Sequence, residues 1–315
     1  MEKDLPIVTV VIPARPDEAH VKAAVVARQL SYPTEKLEVL IARGRHPSVQ
    51  RNSALKAARG EIIYFLDDDS LPEPENLRRA ISFFSKAEVQ MVGGPNLCPP
   101  DAPPLEQAFA LTMGSWLAFG PSCARYRSVG PIRNSSEKEL ILCNLLARRE
   151  ALLNLGGFNE KLYPNEENAL MDQLQERGGK LVYDPELIVY RRPRSTWKAF
   201  LKMLLNYGRG RAEQFRAHPT LGSALNFVPP LFCIYLLVVG FLPSLFLIPL
   251  FLYCAAVLAQ ASVLLPRHKL TWLPRIMLLI FLSHVLYGLG FWRGLISRLK
   301  APPEKTFDEV KLETL

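Results

Sequence analysis

Phe227–Leu265 contains no charged residue, and few folds can absorb a run of that kind. One bilayer crossing takes about 20 consecutive apolar residues. The run therefore fits two crossings, broken near Leu242-Pro243-Ser244. Leu273–Trp292 is a third candidate, with Arg275 near its start and Ser283-His284 inside it. His284 reads there as a side chain satisfied by a polar contact. Pro266-Arg267-His268-Lys269 separates the second and third candidates. Basic loops stay on the cytosolic side, so two crossings before this one place the preceding residues in the cytosol as well. A third full crossing would carry Arg293, Arg298 and Lys300 outward against the same rule. The last segment is then either interfacial or re-entrant, or the rule fails there.

Residues 1–220 have a different character, that of a soluble α/β protein. The opening MEKDLPIVTVVIPA holds two acids and a short apolar run between prolines, which predicts a strand and not a signal peptide. Five cysteines, Cys98, Cys123, Cys143, Cys233 and Cys254, show no CxxC or Cys/His spacing, as expected of reduced thiols in the cytosol. The formal net charge is +8, and basic residues crowd into Arg191–Arg216. Beside a membrane segment, such a face suits anionic lipid or phosphate substrates rather than nucleic acid. Within it, Trp197, Phe200, Leu201, Leu204 and Leu205 recur at helical spacing over Ser195–Gln214, next to Lys198, Lys202, Arg209 and Arg211. That pattern predicts a helix lying in a membrane interface, or an ordinary helix facing a core.

Pro6–Ile12, Leu37–Ile41 and Ile62–Leu66 are β-rich apolar runs, and Asp17–Leu30 and Ser48–Arg59 have helical periodicity between them. Strand–helix–strand–helix–strand implies parallel pairing with right-handed crossovers. The strand ends Pro13-Ala14-Arg15, Ala42-Arg43-Gly44 and Asp67-Asp68-Asp69 then line one crevice, where open α/β sheets bind ligands. Three carboxylates in that place repel one another unless donors or a cation neutralise them. Their hard oxygens suit Mg²⁺ or Mn²⁺ bridging to substrate phosphates; the plainer reading is a solvated acidic turn capping the next helix. Downstream, the spacing predicts helices over Asn76–Lys86, Glu106–Leu117 and Arg149–Leu155, and one opening at Glu166-Glu167 and running to Glu176. It also predicts strands over Val89–Val92, Leu140–Leu146, Lys180–Tyr183 and Leu187–Tyr190.

Taken in order, TVVIPAR, FLDDDSLPEP and CNLLARREALLNLGGFNEKLYPNEENALMDQLQERGGKLVYDPELIVYRRPR resemble a family 2 glycosyltransferase of the GT-A fold over about residues 6–215. They resemble in particular the membrane-anchored members that build bacterial exopolysaccharide or lipid-linked glycans. The resemblance implies a Rossmann-like mixed sheet flanked by helices, followed by an α-helical membrane region. It implies a catalytic domain over 1–194, an interfacial helix over 195–217, a membrane region over 224–300 and a polar tail over 301–315. It further implies a multi-pass protein of the inner (plasma) membrane with its catalytic domain in the cytosol. The expected partners are a nucleotide-sugar donor, a lipid-linked or saccharide acceptor, and membrane lipids.

Residue by residue, the resemblance puts Pro13, Ala14, Arg15, Arg43, Arg51, Asn52, Asp67 and Asp68 on the donor side. Asp69, with Asp67, would hold Mn²⁺ or Mg²⁺. Glu167 is favoured as the catalytic base and Glu166 is the runner-up. Asn144, Arg209 and Arg211 would meet the acceptor or a phosphate. Two departures stand out. Ile41-Ala42-Arg43-Gly44 lacks the aspartate that family members often carry there to read the base, and the Gln-x-x-Arg-Trp motif of processive synthases is absent. Single-sugar transfer is the reading these favour. Transfer to a polyprenyl phosphate, nucleotidylyl transfer and a non-catalytic scaffold are its rivals.

Overall fold

The computed structural model describes residues 5–160, 162, 165–217, 219, 221–265, 270–297 and 310–315. The chain forms two compact units, one of Met1–Pro99, Ala124–Arg192 and Ala301–Leu315, the other of Pro100–Cys123 and Pro193–Lys300.

The first unit is a mixed sheet between helices. Its strands are β1 (Val8–Ala14), β2 (Leu37–Arg43), β3 (Ile62–Leu66), β4 (Leu71–Pro72), β5 (Val89–Gly93), β6 (Asn96–Leu97), β7 (Arg133–Asn134), β8 (Asn144–Arg148), β9 (Lys180–Tyr183), β10 (Val189–Tyr190) and β11 (Lys311–Thr314). Eight of them form one sheet in the order β11-β2-β1-β3-β8-β5-β9-β7, and β4-β10-β6 form a small second one. β1 pairs parallel with β2 and β3, as the strand–helix alternation predicts, while β8 runs antiparallel to β3 and β5. Every residue of β3 is buried, because both sheet faces are covered. Ile62, Tyr64 and Leu66 point to one face, with α1 (Lys22–Ala27) and α3 (Asn76–Phe83). Ile63 and Phe65 point to the other, with α2 (Pro47–Ala57) and α7 (Glu166–Glu176).

Three elements differ from the sequence reading. The first helix is only Lys22–Ala27, because residues 15–21 form the loop that frames the crevice. The strand expected at Leu140–Leu146 is Asn144–Arg148: Leu140 and Leu142 are buried through a turn, in which Asn144 N–H meets the Ile141 carbonyl. The ladder then starts where Asn144 faces Leu66. The stretch expected to be a polar tail contains β11, antiparallel to β2 from Lys311↔Arg43 to Thr314↔Leu40.

The second unit is helical: α4 (Pro104–Met113), α5 (Trp116–Phe119), α8 (Trp197–Ala217), α9 (Val228–Val238), α10 (Ile248–Leu264) and α11 (Leu273–Ile296); the first unit holds α6 (Arg149–Asn154). Three stretches, Ala224–Phe241, Ser244–Leu264 and Leu270–Ile296, are long and apolar enough to cross a membrane. The apolar stripe of α8 is turned onto protein. Phe200 stacks on Phe109 at 4.1 Å, Trp197 meets Phe109 edge-on at 5.5 Å, and Phe200 and Leu204 are buried. Of the two sequence readings of this helix, its contacts match the core-facing one. Backbone-to-backbone packing against α11 needs glycine: a Cβ on Gly208 would strike the Tyr287 carbonyl, and one on Gly290 the Leu205 carbonyl. His284 has a partner on each ring nitrogen, the Leu117 carbonyl and the Tyr253 hydroxyl. The basic loop Pro266–Lys269, with Arg298 and Lys300, lies outside the described residues.

Candidate active site

β3 ends in the centre of the sheet, and the chain must turn there before β4. Ser70 makes the turn. Its hydroxyl accepts from the Asp67 N–H at 3.1 Å and donates to the Cys143 carbonyl at 3.3 Å. The Ser70 N–H closes on the Asp67 carbonyl at 3.1 Å. The three aspartates are thereby held at the sheet's carboxyl edge on a buried support.

Two arginines meet them. Arg51, buried on α2, donates from Nη2 to Asp67 Oδ1 and from Nη1 to Glu166 Oε1, each at 3.2 Å. Arg191, just after β10, reaches Asp67 Oδ2 at 3.0 Å and Asp69 Oδ1 at 2.5 Å. One chain of alternating charge therefore runs Asp69–Arg191–Asp67–Arg51–Glu166. Asp68 stands beside it: burial first, then Asp69 and Asp67, hold its carboxyl above the usual range, against the pull of Arg191. Its carbonyl accepts from the Ala23 N–H at 3.1 Å, which ties α1 to the turn.

Glu166 opens α7 behind Asn165, which takes the left-handed φ of 105°. Asparagine tolerates that conformation better than most residues. The turn is braced from within, since Asn168 donates to Asn165 Oδ1 at 2.9 Å and Arg125 donates to Asn168 Oδ1 at 2.7 Å. Arg125 also donates to the Glu137 carbonyl. Burial pushes the Glu166 carboxyl up to about 7, with Glu167 adding to the rise and Arg51 opposing it. Glu167 is only partly buried.

The other residues expected here fall in several places. Pro13 and Ala14 close β1, where the Ala14 carbonyl accepts from Gln50 at 2.8 Å and from the Gly44 N–H at 3.0 Å. Arg15 is exposed and pairs with Glu18 at 3.2 Å. Arg43 donates to the Glu18 carbonyl at 2.8 Å and to Glu313 at 2.9 Å. Asn52 does not join the aspartates. Its amide exchanges hydrogen bonds with the Phe158 backbone at 2.8 and 2.9 Å and donates to Glu160 at 2.8 Å. Asn144 has no exposed surface. It accepts from Tyr64 at 3.0 Å and donates to the Leu187 and Pro95 carbonyls, which is the work of a strand fastener rather than an acceptor contact. Arg209 and Arg211 belong to α8 in the other unit, near Glu213 at 3.5 Å and Gln214 at 3.2 Å respectively.

Arg191 is the site residue that sequence reasoning missed. It reaches Asp67 and Asp69 because Tyr190 pairs with Leu71, immediately after the aspartates. Two-residue strands carry no periodicity from which that pairing could be read.

Among the described residues no three His, Cys, Asp or Glu side chains converge on one point. The donor set does not make an all-protein cage. It does suit an ion held by one or two carboxylates and completed by substrate phosphates and water, the usual arrangement for Mg²⁺. The crowding at Asp68 is what a divalent cation would relieve.

Residues 2–206 match the family described as "Glycosyltransferase like family 2". Glycosyltransferase AglE of Haloferax volcanii is 37% identical over 70 residues, a match spanning 22% of this chain and 23% of that protein. Among solved structures, mannosyltransferase PcManGT from Pyrobaculum calidifontis, in complex with GDP-Man and Mn²⁺, has the same fold at a TM-score of 0.57 and 16% identity, over 92% of this chain and 87% of that one. TarS of S. aureus, in complex with UDP, is a weaker likeness with a TM-score of 0.45 and 12% identity, over 91% of this chain and 90% of that one. With a parallel β1–β3 core, acidic residues at its carboxyl edge and the family match over well more than half its length, this chain belongs to glycosyltransferase family 2.

Proposed function

We propose that the protein moves a single sugar from a nucleotide-sugar donor to a lipid-linked or saccharide acceptor, inverting the anomeric carbon. The observation that carries this reading is the shared guanidinium. Arg51 holds Asp67 and Glu166 at 3.2 Å each, so the strand-end aspartates and the acidic pair of α7 belong to one polar site. Asp69 and Asp67 would hold Mn²⁺ or Mg²⁺, which when bound offsets charge on the leaving nucleoside diphosphate. Arg51 and Arg191 hold the aspartate carboxylates in place through charge-assisted hydrogen bonds.

Glu167 is the base in this reading. Glu166 is buried and engaged by Arg51, whereas an acceptor hydroxyl must be able to reach the base. The acceptor O–H proton passes to the Glu167 carboxylate as the acceptor oxygen bonds to the anomeric carbon. The bond from that carbon to the diphosphate oxygen breaks on the opposite face. Glu166 acts as a positioning residue, tying α7 to the donor side through Arg51.

The sheet supports one membrane arrangement within this reading. β11 pairs with β2, so the chain that leaves the first unit after Arg192 returns to it by Lys311. The number of crossings between them is even. In this reading α9 and α10 cross as a hairpin and α11 does not. What supports this is that α11 packs through glycines on α8, which carries Lys198, Lys202 and Arg211, charges that favour an aqueous boundary. The first unit then faces the cytosol. Single cysteines introduced at Lys56 and Lys311 in a cysteine-free background are expected to react with an impermeant maleimide from the same face of sealed vesicles. Labelling from opposite faces overturns this arrangement.

The transfer itself is tested with purified protein in detergent against GDP-, UDP- and dTDP-sugars, with Mn²⁺, Mg²⁺ or EDTA. The expected result is metal-dependent binding and turnover of one donor. Glu167→Gln is expected to lower turnover about 10²–10⁴-fold, the scale of general-base catalysis. A Glu167→Gln variant with full activity would favour a lipid-phosphate acceptor, whose oxygen is already ionised. A folded protein that binds no donor would favour the scaffold.

A further inference from the structure

The loop after β2 carries no acid to read a nucleobase, yet a cavity of about 550 Å³ opens beside it. Volumes of this order hold small-molecule ligands. Its wall comes from three separate pieces of chain: the loop after β1 (Asp17, Glu18), the loop after β2 (Arg43, Arg45) and β11 (Lys311, Glu313). We propose that β11 forms one wall of the donor's base pocket, and that Glu313 and Lys311 help to set which base is accepted. This rests on the transferase reading above.

Several observations place β11 there as a built part of the unit. Its ladder with β2 continues to the end of the strand, where the Leu315 N–H donates to the Val39 carbonyl at 3.0 Å. Val310 and Leu312 pack against the core on the α2 side of the sheet. Side chains alternate along a strand, so with Val310 and Leu312 inward, Lys311 and Glu313 face the cavity. Arg43 fixes the corner, donating to Glu313 and to the Glu18 carbonyl. The ion pair with Arg43 holds the Glu313 carboxyl below its usual range. One wall of the cavity, Pro16–Ala19, belongs to the segment that continues into α1, where Ala23 N–H meets the Asp68 carbonyl.

The chemistry fits a nucleobase edge. A carboxylate accepts from ring and exocyclic N–H groups, and a lysine ammonium donates to ring carbonyls. Guanine offers two N–H donors to one carboxylate and uracil a single ring N–H, so losing the Glu313 charge acts unequally on the two. A wall that was merely structural would weaken both alike.

The test measures GDP, UDP and dTDP affinity, with Mn²⁺, for the full chain and for Glu313→Gln and Lys311→Ala. Thermal unfolding checks that each variant is folded, and Leu312→Ala serves as a packing control. The expected result is a change of about tenfold in the GDP/UDP affinity ratio for Glu313→Gln, the scale of one charge-assisted hydrogen bond, a smaller change for Lys311→Ala, and none for Leu312→Ala. Nucleotide binding with an unchanged ratio in both cavity-facing variants overturns the proposal and leaves the transferase reading standing. A folded wild type that binds none of GDP, UDP and dTDP overturns both.

Discussion

The two units differ in what their most specific contacts are made of. In the first, the sheet converges on five charged groups, Asp69, Arg191, Asp67, Arg51 and Glu166, each paired with the next. In the second, α8 and α11 meet through glycines, and the outward surface is apolar, with Phe241, Leu245 and Phe251 exposed. The difference teaches where specificity resides. A network of paired charges that runs from the buried Arg51 and Glu166 to the half-exposed Asp69 stores electrostatic order that a charged substrate can rearrange. A glycine seam stores only shape, and its tolerance is a matter of volume.

The sharpest break of this contrast is at the aspartates. Asp69→Ala is expected to lower turnover on the order of 10²–10³-fold, from the several kcal/mol that a metal supplies at a leaving phosphate. Unfolding should barely shift, because Asp69 is half exposed. A steady-state assay beside a melting curve separates the two effects, and an equal loss in both would place Asp69 in the structure alone. Arg51→Met comes next. It leaves Asp67 and the buried Glu166 without that partner, and breaking a buried pair from one side costs about 3–5 kcal/mol. Chemical denaturation should show that loss, together with lost donor binding.

The glycine seam should respond to bulk alone. Gly290→Leu forces α8 and α11 apart at the Leu205 carbonyl, at an expected cost of about 1–3 kcal/mol, the usual penalty of overpacking. Gly290→Ala should cost less. Similar losses for both would mean that the first carbon already forces the helices apart, and negligible losses for both would mean that the spacing has slack.

Most of this fold was legible because hydrophobic periodicity is a local signal. Ile62–Leu66 and Lys180–Tyr183 are strands at the predicted bounds. The candidate site was legible only where one segment carries it, as at the strand-end Asp67–Asp69 and at Glu166-Glu167, where α7 opens. What brings those segments together is not local. Arg191 depends on a two-residue strand pairing, and β11 joins β2 across more than two hundred residues of sequence. Asn144 shows the other limit of a motif. Its place in a family-like motif suggested a ligand contact, while its three hydrogen bonds fasten Tyr64, Pro95 and Leu187. Asn144→Leu should therefore cost about 1–3 kcal/mol of stability, the penalty for stranding buried partners, and leave the donor affinity of the folded fraction unchanged. An isothermal titration at matched active-site concentration would reveal any direct role.

The smallest expected effect concerns Glu166, and its sign is set by burial. The folded carboxyl titrates near 7, above the ordinary value of 4.5, chiefly because burial disfavours its charge. Between those two pH values the folded state keeps a proton that the unfolded chain has released. Stability contributed by that proton is present below pH 4.5 and is lost as pH rises through 7. Glu166→Gln cannot titrate, so its melting temperature should fall less than that of the wild type between pH 5 and pH 7.5. Arg51 opposes the shift, so in Arg51→Met the Glu166 carboxyl should titrate higher still, and the fall in stability should extend to higher pH. If Glu166→Gln instead steepens the fall, the charged form is the one the fold prefers, and the Arg51 pair outweighs burial.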